Sequence, residues 1–382
     1  MLPLTGVKVV EFANNIAGPY AGYILAMLGA EVLKVERPEG GDDARAWGPP
    51  FWKDTSATFQ CLNVNKQGIT LDLTSADDIA WVKDYIDGCD VLIHNLRPGV
   101  MDKLGLGSSV LRERNPRLIY CSLSAFGPKG PMHKNGGYEP MVQAFSGLFS
   151  VNGYPDRPGA RIGTSVLDLG SAVWAALGCV AGVLQREKTG KGCVVDASLY
   201  ETALGLLTVH FARYQAGGQL PERHPSGSLA VVLFQAVDCA DGQVIVAAAN
   251  DRLWTKFTSE IGRPEWAQDS RYKTNADRHA NKEVLVASVT DIMRQRTRAE
   301  WVERLQRAGV PCAPINDLSH LKTHPQTTAL EMVQHVAEID LDLMALPLTF
   351  GGERPKIRTR APKLGEHNAV MRGLPRARLR QG

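Results

Sequence analysis

The sequence predicts an α/β fold in two parts. Short β-rich runs alternate with helix-length segments through the first half of the chain, the pattern of βαβ units around a parallel sheet. A polar, Gly/Pro-rich stretch over residues 215–227 (QAGGQLPERHPSG) then interrupts that pattern. Beyond it, a hairpin signal and charged helical segments describe a second, smaller α/β domain over residues 225–315. A length of 382 residues suits two such domains.

The elements follow in order. Val7 to Phe12 (VKVVEF) reads as a strand, and Tyr20 to Leu28 carries helical spacing behind Pro19, with Gly29 as its stop. Glu31 to Val35, Val91 to His94 and Leu118 to Ser122 read as further strands. Residues 166–188 read as one long buried helix ended by Gly190 and Gly192. Cys193 to Ala197 reads as a strand, and Leu199 to Tyr214 as a helix. In the smaller part, Ala230 to Val237 and Gln243 to Ala248 are apolar runs joined through Ala240-Asp241-Gly242, a hairpin signal. The stretch from Arg354 to Gln381 is basic and contains proline.

Composition bounds the function. Apolar residues make up 44% and charged residues 22%, so the chain can bury a core. With 43 Lys+Arg against 40 Asp+Glu, the balance does not point to nucleic acid. The most apolar stretch, residues 171–185, runs into Arg186, Glu187 and Lys188, so no membrane span is expected. The first residues lack the marks of a signal peptide. The seven cysteines are scattered and contain no CxxC, which fits reduced thiols in cytoplasm and no metal site.

Few motifs carry chemistry. The first strand-turn-helix, FANNIAGPYAG, has the place of a dinucleotide turn but not its GxGxxG pattern. Arg37 is either a solvated loop-end charge or a phosphate ligand. Asn95 and Arg97 follow a strand, where they either close a turn or border a ligand crevice. Asp168 stands just before a very apolar helix, between Gly163 and Gly170. A carboxylate there is either a helix cap or a partly desolvated nucleophile with room for a substrate. Residues 186–192 (REKTGKG) are a solvated helix end or a phosphate loop. GxSxG, the Walker A lysine loop and HExxH are absent from the sequence.

Taken together, an ordered set of segments resembles the family III CoA-transferases. The segments are LTGVKVVEFANNIAGPYAGYILAMLGAEVLKVERPEGGDDAR, LNVNKQGITLDL, HNLRPGVMDKLGLG, SAFGPKGP, GGYEPMVQAFSGL, the Asp168 segment and REKTGKGCVVDASLYE. VDCADGQVIVAAAN and AGVPCAPIND extend the resemblance more loosely. The resemblance implies a large Rossmann-like CoA-binding domain with a smaller inserted α/β domain. Residues 1–220 would form the first part of the large domain and 225–315 the small one, with 316–382 returning to the large domain. It also implies an interlocked homodimer.

Carried over residue by residue, the resemblance implies that Ile16 and Ala17 lie by the CoA pocket and Arg37 meets the nucleotide phosphates. Leu71, Asp72, Leu73 and Thr74 would line the adenine side, and Asn95, Leu96 and Arg97 would border the nucleotide and pantetheine. Lys103 stands where the family often has arginine. Gly136, Gly137 and Tyr138 complete the CoA-binding set, Gly136 standing where formyl-CoA transferase has lysine. Asp168 matches the catalytic aspartate and Glu139 a second acidic active-site position. The implied reaction moves CoA from an acyl-CoA donor, succinyl-CoA or acetyl-CoA, to a short dicarboxylate through mixed anhydrides and an aspartyl-CoA thioester. No metal is implied, and no cofactor beyond CoA as substrate.

Two alternatives stand beside this reading. An α-methylacyl-CoA racemase needs a base on each face of the α-carbon, and Tyr138 replaces the racemase histidine. A tyrosine is a poor base near neutral pH. A non-catalytic CoA-ester-binding paralogue is the other. The stretch HPSGSLA, with His224, Ser226 and Ser228, lacks the glycine run of formyl-CoA transferase, which disfavours oxalate and formate. Arg161, Arg223 and His224 are the candidates for holding a second carboxylate.

Overall fold

The structure is a computed structural model describing residues 1–53, 55–228 and 230–373. It divides into two compact units. The larger comprises residues 1–148, 162–209 and the described residues from 325 on, and the smaller comprises 149–161 and 210–324. Of the basic stretch 354–381, residues 374–381 lie outside the described residues.

The larger unit is built on six parallel strands: β1 (Lys8–Phe12), β2 (Glu31–Glu36), β3 (Lys66–Thr70), β4 (Val91–His94), β5 (Ile119–Ser124) and β6 (Val194–Ser198). Their spatial order is β3-β2-β1-β4-β5-β6, the doubly wound order of dinucleotide-binding folds. Successive side chains enter opposite cores. Val9, Val32, Ile93 and Cys121 join one apolar cluster, while Val10, Leu33, Leu92 and Tyr120 join the other. Both faces are therefore buried, as a parallel sheet requires.

Helices cover the two faces. On the first lie α1 (Ala17–Met27), α5 (Val166–Thr189) and α6 (Leu199–Leu206); on the second lie α2 (Ala76–Asp87) and α3 (Ser108–Arg114). Between them in sequence, α4 (Glu139–Phe145) packs on α5 and α6. Helix α5 is long and apolar enough by length and composition to cross a membrane. Here its small residues sit close against the sheet: a Cβ added at Gly178 would meet Val195 Cγ1 at 2.5 Å, and one at Gly182 would meet Ile119 at 3.1 Å. The expectation of a fully buried helix is corrected on its other face, where Val173, Trp174, Leu177 and Leu184 are exposed. The single helix expected over 199–214 is two, α6 and α7 (Thr208–Gly217), with Leu207 between them.

Charged residues hold the first three strands together from inside. Glu11 on β1 accepts from Lys34 on β2 at 3.1 Å and from Lys66 on β3 at 2.8 Å, with all three side chains fully buried. Lys34 also contacts Asp42 at 2.9 Å and donates to the Ala13 carbonyl at 2.6 Å. Lys66 also donates to the Pro19 carbonyl at 2.7 Å and to Asn63 at 2.9 Å. Arg45 binds Glu36 through two hydrogen bonds of 2.7 Å. Burial pushes Lys66 down to about 8, Glu11 only partly offsetting it and Lys34 adding to it. Burial acts the same way on Lys34, but two carboxylates, Glu11 and Asp42, outweigh it and Glu36 adds to them, so that pKa is raised.

The C-terminal segment finishes the sheet. β3 is an edge strand, and an unpaired edge is an open template for association. His367 Nδ1 accepts from the Gly68 amide at 3.1 Å, and the His367 amide donates to the Gly68 carbonyl at 3.0 Å. Asn368 accepts from the Thr70 amide at 2.9 Å and donates to its hydroxyl at 2.8 Å.

The smaller unit has its own core. β7 (Phe234–Cys239) and β8 (Gly242–Ala247) form the expected hairpin, and β9 (Cys312–Pro314) pairs with β8. Gly242 takes φ +142°, which favours glycine. Trp254, Phe257, Leu285, Val289, Met293 and Trp301 pack on the sheet.

Replacing Glu11 with glutamine removes the shared anion between two buried ammonium groups. We expect Glu11→Gln to cost about 3–5 kcal/mol, read as a lower urea midpoint with unchanged slope. An unchanged midpoint would contradict the proposed place of this network in the fold.

Candidate functional site

In a doubly wound sheet, ligands bind outside the carboxyl ends of the strands, at the point where the strand order reverses. Here that point lies between β1 and β4. The candidate residues fall on this edge. Ile16 and Ala17 follow β1, Arg37 follows β2, and Leu71 to Thr74 follow β3. Asn95 to Arg97 follow β4, with Lys103 ending the short helix Val100–Lys103. Gly136 to Tyr138 come in the loop after β5, Glu139 opens α4, and Asp168 lies in the first turn of α5, whose far end leads into β6.

The β1–α1 turn is held rigidly. Asn14 and Asn95 clasp each other across the reversal point: the Asn14 amide donates to Asn95 Oδ1 at 2.9 Å, and Asn95 Nδ2 donates to the Asn14 carbonyl at 2.7 Å. Asn15 takes a left-handed φ of 69°, and its amide donates to Asp42 at 2.9 Å. Gly18 is required by packing, since a Cβ there would meet Ala13 Cβ at 2.4 Å and Asn95 at 3.2 Å. The close approach that a dinucleotide fingerprint obtains from three glycines is obtained here from Asn15, Gly18 and Gly22. A Cβ at Gly22 would fall 1.8 Å from Glu11 Oε2.

The remaining candidates differ in freedom. Arg37 is exposed, pairs with Asp43 at 2.5 Å and donates to the Glu39 carbonyl at 2.9 Å. Asp72 accepts from the amide and hydroxyl of Thr74, at 2.9 and 2.7 Å. Those bonds, the hydroxyl first, hold its carboxyl below the usual range. Leu71 places its side chain in the core, and Leu73 and Leu96 pack partly against it. Arg97, Lys103 and Gly136 are exposed. A Cβ at Gly136 would lie 3.8 Å from Arg97 Nε, so the loop after β5 passes over that guanidinium. Gly137 is packed against Ala125, and Tyr138 is 63% exposed.

The two carboxylates sit differently. Glu139 is buried at the start of α4 and accepts from Gln143 Nε2. Asp168 is half-buried. Of the glycines beside it, Gly163 borders open space, whereas a Cβ at Gly170 would meet Thr202 at 2.9 Å. Gly170 therefore serves helix packing. Three residues on from Asp168, the buried Ser171 hydroxyl contacts the Thr202 hydroxyl at 2.9 Å and donates to the Leu167 carbonyl at 2.6 Å. This anchors the start of α5 to the start of α6.

Sequence reasoning missed Gln143, Ser171 and Thr202 as neighbours of these residues. The i, i+4 spacing of Glu139 and Gln143 was the one available signal. His94 ends β4 and is buried edge-on to the Tyr120 ring, centroids 5.3 Å apart. Burial holds its pKa down at about 4.

In the smaller unit, Arg223 donates to the carbonyls of Tyr154, Pro155 and Arg157 at 3.0, 3.2 and 2.6 Å, so its guanidinium closes a loop. Arg223 and His224 line a pocket of about 490 Å³ together with Tyr154, Gln235, Gln243 and Lys282. Burial, then Lys282, lowers the His224 pKa. Among the described residues no group of three or more His, Cys, Asp or Glu could hold a metal ion.

The sequence model of CoA-transferase family III matches residues 4–368. The chain is 35% identical to the acetyl-CoA:oxalate CoA-transferase of Acetobacter aceti, over 97% of this chain and 95% of that one. It is 32% identical to the succinyl-CoA:glutarate CoA-transferase of Mus musculus, over 96% and 85%. A crystal structure of a CaiB/BaiF family protein from Brucella suis superposes with a TM-score of 0.88 at 34% identity, covering 99% of each chain.

His94 generates a pH test. Its ordinary pKa is 6.5 and its folded value about 4. The unfolded chain therefore binds the proton first, and stability falls as pH drops from 6.5 to 4, then levels. We expect His94→Phe to remove about 2.5 kcal/mol of that acid loss, measured by urea unfolding at pH 7 and pH 4.5. An identical acid loss in the variant would contradict the assignment.

Proposed function

Because the chain belongs to CoA-transferase family III, we propose that it moves CoA from succinyl-CoA or acetyl-CoA to a short dicarboxylate, with Asp168 as nucleophile. The observation that carries this reading is the common position of Asp168, Glu139 and the CoA-binding candidates at the carboxyl edge of one parallel sheet. The donors and the acceptor class follow those named for the relatives, oxalate and glutarate among the acceptors. Oxalate, disfavoured by the HPSGSLA stretch, therefore belongs in any test panel.

The chemistry runs in four steps. The Asp168 carboxylate attacks the thioester carbonyl, forming an acyl-aspartyl anhydride and expelling CoA thiolate. The thiolate attacks the aspartyl carbonyl, leaving an aspartyl-CoA thioester and the donor's free carboxylate. The acceptor carboxylate attacks that thioester, forming a second anhydride and expelling the thiolate again. The thiolate then attacks the acceptor's acyl carbon, which releases the new CoA ester and restores Asp168. Thioester energy is kept throughout, so no ATP is spent. Asp168 in the first turn of a 24-residue helix lies where the helix dipole favours its anion. Glu139 is a second, buried carboxylate assigned to the proposed site, and water must be excluded while either anhydride exists.

The CoA moiety would follow the sheet edge. Arg37 would exchange Asp43 for nucleotide phosphate, Arg97 and Lys103 would add charge, and the turn at Ile16 and Ala17 would meet the pantetheine. Gly136, Gly137 and Tyr138 would close over it, with Leu71 to Thr74 and Asn95 to Leu96 along the nucleotide. No cofactor or metal enters this scheme. We further propose a cytoplasmic homodimer whose chains interlock. Support for the partner is the apolar stripe of Val173, Trp174, Leu177 and Leu184 on α5, which water disfavours. Support for the compartment is the set of seven free thiols.

Succinyl-CoA or acetyl-CoA incubated with oxalate, glutarate and other acids should yield a new CoA ester by mass spectrometry, lost by at least about 10³-fold in Asp168→Ala. No ester, but deuterium at the α-carbon of an acyl-CoA in heavy water, would replace the transferase with racemase chemistry. Trp174→Glu with Leu177→Glu should leave a monomer by sedimentation after refolding from urea, which lets interlocked chains part; a refolded dimer would place the interface elsewhere.

A further inference from the structure

Gln143 is fully buried on α4, one helical turn after Glu139. Its carboxamide bonds both backbone groups of one distant residue. Oε1 accepts from the Ile162 amide at 2.9 Å, and Nε2 donates to the Ile162 carbonyl at 3.3 Å. Nε2 also donates to the Glu139 carboxylate. Ile162 is the first residue of the larger unit after the excursion of residues 149–161. It opens the short segment that leads into α5 and Asp168.

We propose that Gln143 is a positioning residue for transfer: it fixes the Glu139 carboxylate against the segment that carries Asp168. This rests on the reading of Asp168 and Glu139 as the reacting carboxylates. The chemistry of the side chain is specific. A primary amide offers one acceptor and two donors in a plane, and here one peptide N–H, one peptide C=O and one carboxylate use them. Glutamate has the length but, when ionised, no donor, and it would face Glu139 with like charge. Leucine fills the volume and satisfies none of the three. Asparagine is one methylene too short.

The consequence is functional because anhydride transfer is sensitive to both aim and water. Freed from Gln143, the 162–165 segment would no longer hold Asp168 and Glu139 in one fixed relation. A misplacement of about 1 Å costs about 10²-fold in rate. Water would also compete better for the acyl-aspartyl anhydride. The CoA-binding candidates on the β1, β2, β3 and β4 loops do not touch Gln143 in any hydrogen bond described above, so affinity for acyl-CoA should be spared.

The test uses the full-length protein, with Gln143→Leu and the isosteric Gln143→Glu, on whichever donor and acceptor the wild type turns over. We expect kcat to fall about 10- to 100-fold with acyl-CoA KM within about 3-fold. The ratio of hydrolysis to transfer, free thiol against new ester, should rise at least about 5-fold. Either variant retaining wild-type kcat and wild-type partition overturns the proposal. So does a loss in which KM rises in step with falling kcat, or failure of both variants to fold, since each marks a purely structural residue. Asp168→Ala separates the two levels. If it is inactive while the Gln143 variants behave as wild type, this inference fails alone; if it still transfers CoA, the reading of Asp168 as nucleophile fails and this inference with it.

Discussion

Glu11 is the anion on which the larger unit is assembled. It lies on the central strand, and the two ammonium groups that neutralise it come from the two strands to one side. With Asp42, Glu36 and Arg45 included, three carboxylates face three cations in the interior. Such charges are costly to bury and tolerable only when every one is paired and hydrogen-bonded. Here the extra bonds go to the carbonyls of Ala13, at the start of the β1–α1 turn, and Pro19, in the first turn of α1. The network that aligns three strands therefore also sets the shape of the turn at the reversal point.

That turn explains how a dinucleotide-type topology works without its glycine fingerprint. The fingerprint lets a helix start approach the sheet and leaves backbone N–H groups for a phosphate. In this chain Asp42 holds Asn15 in a left-handed conformation, and Asn95 clasps Asn14 from the neighbouring strand. Side-chain hydrogen bonds replace conformational freedom. The edge that results gathers loops from five strands and the start of α5, so residues separated by more than a hundred positions in sequence share one rim.

Some of this was legible in the sequence and some was not. β1, β2 and β4 were readable because apolar residues dominate them. β3, KQGIT, lacks a strand signal: its lysine and glycine disguise a segment whose first residue is a buried ion-pair partner. Glu11 and Lys34 carry the same disguise, since periodicity reads a charge as a solvated face and cannot see a partner on another strand. Helix α5 erred the other way. Its apolar residues on the outer face look like core, and only packing separates Ala175 and Cys179 inside from Trp174 and Leu177 outside. Asp168 and Glu139 were found through resemblance to a family, because by spacing alone Asp168 is also an ordinary helix cap. Gln143 shows in the sequence only its i, i+4 spacing to Glu139; its other partner is the Ile162 backbone, which has no sequence signature.

The pairing of His367 and Asn368 with β3 has a consequence for how the protein is made. The strand that they complete begins at residue 66, so about three hundred residues separate an edge from its cover. A chain emerging from the ribosome must hold that edge open until the residues about three hundred positions later have been made. The larger unit is thus finished last although it begins first. A premature stop anywhere in the smaller unit would release a sheet with one side still adhesive, a substrate for chaperones and proteases.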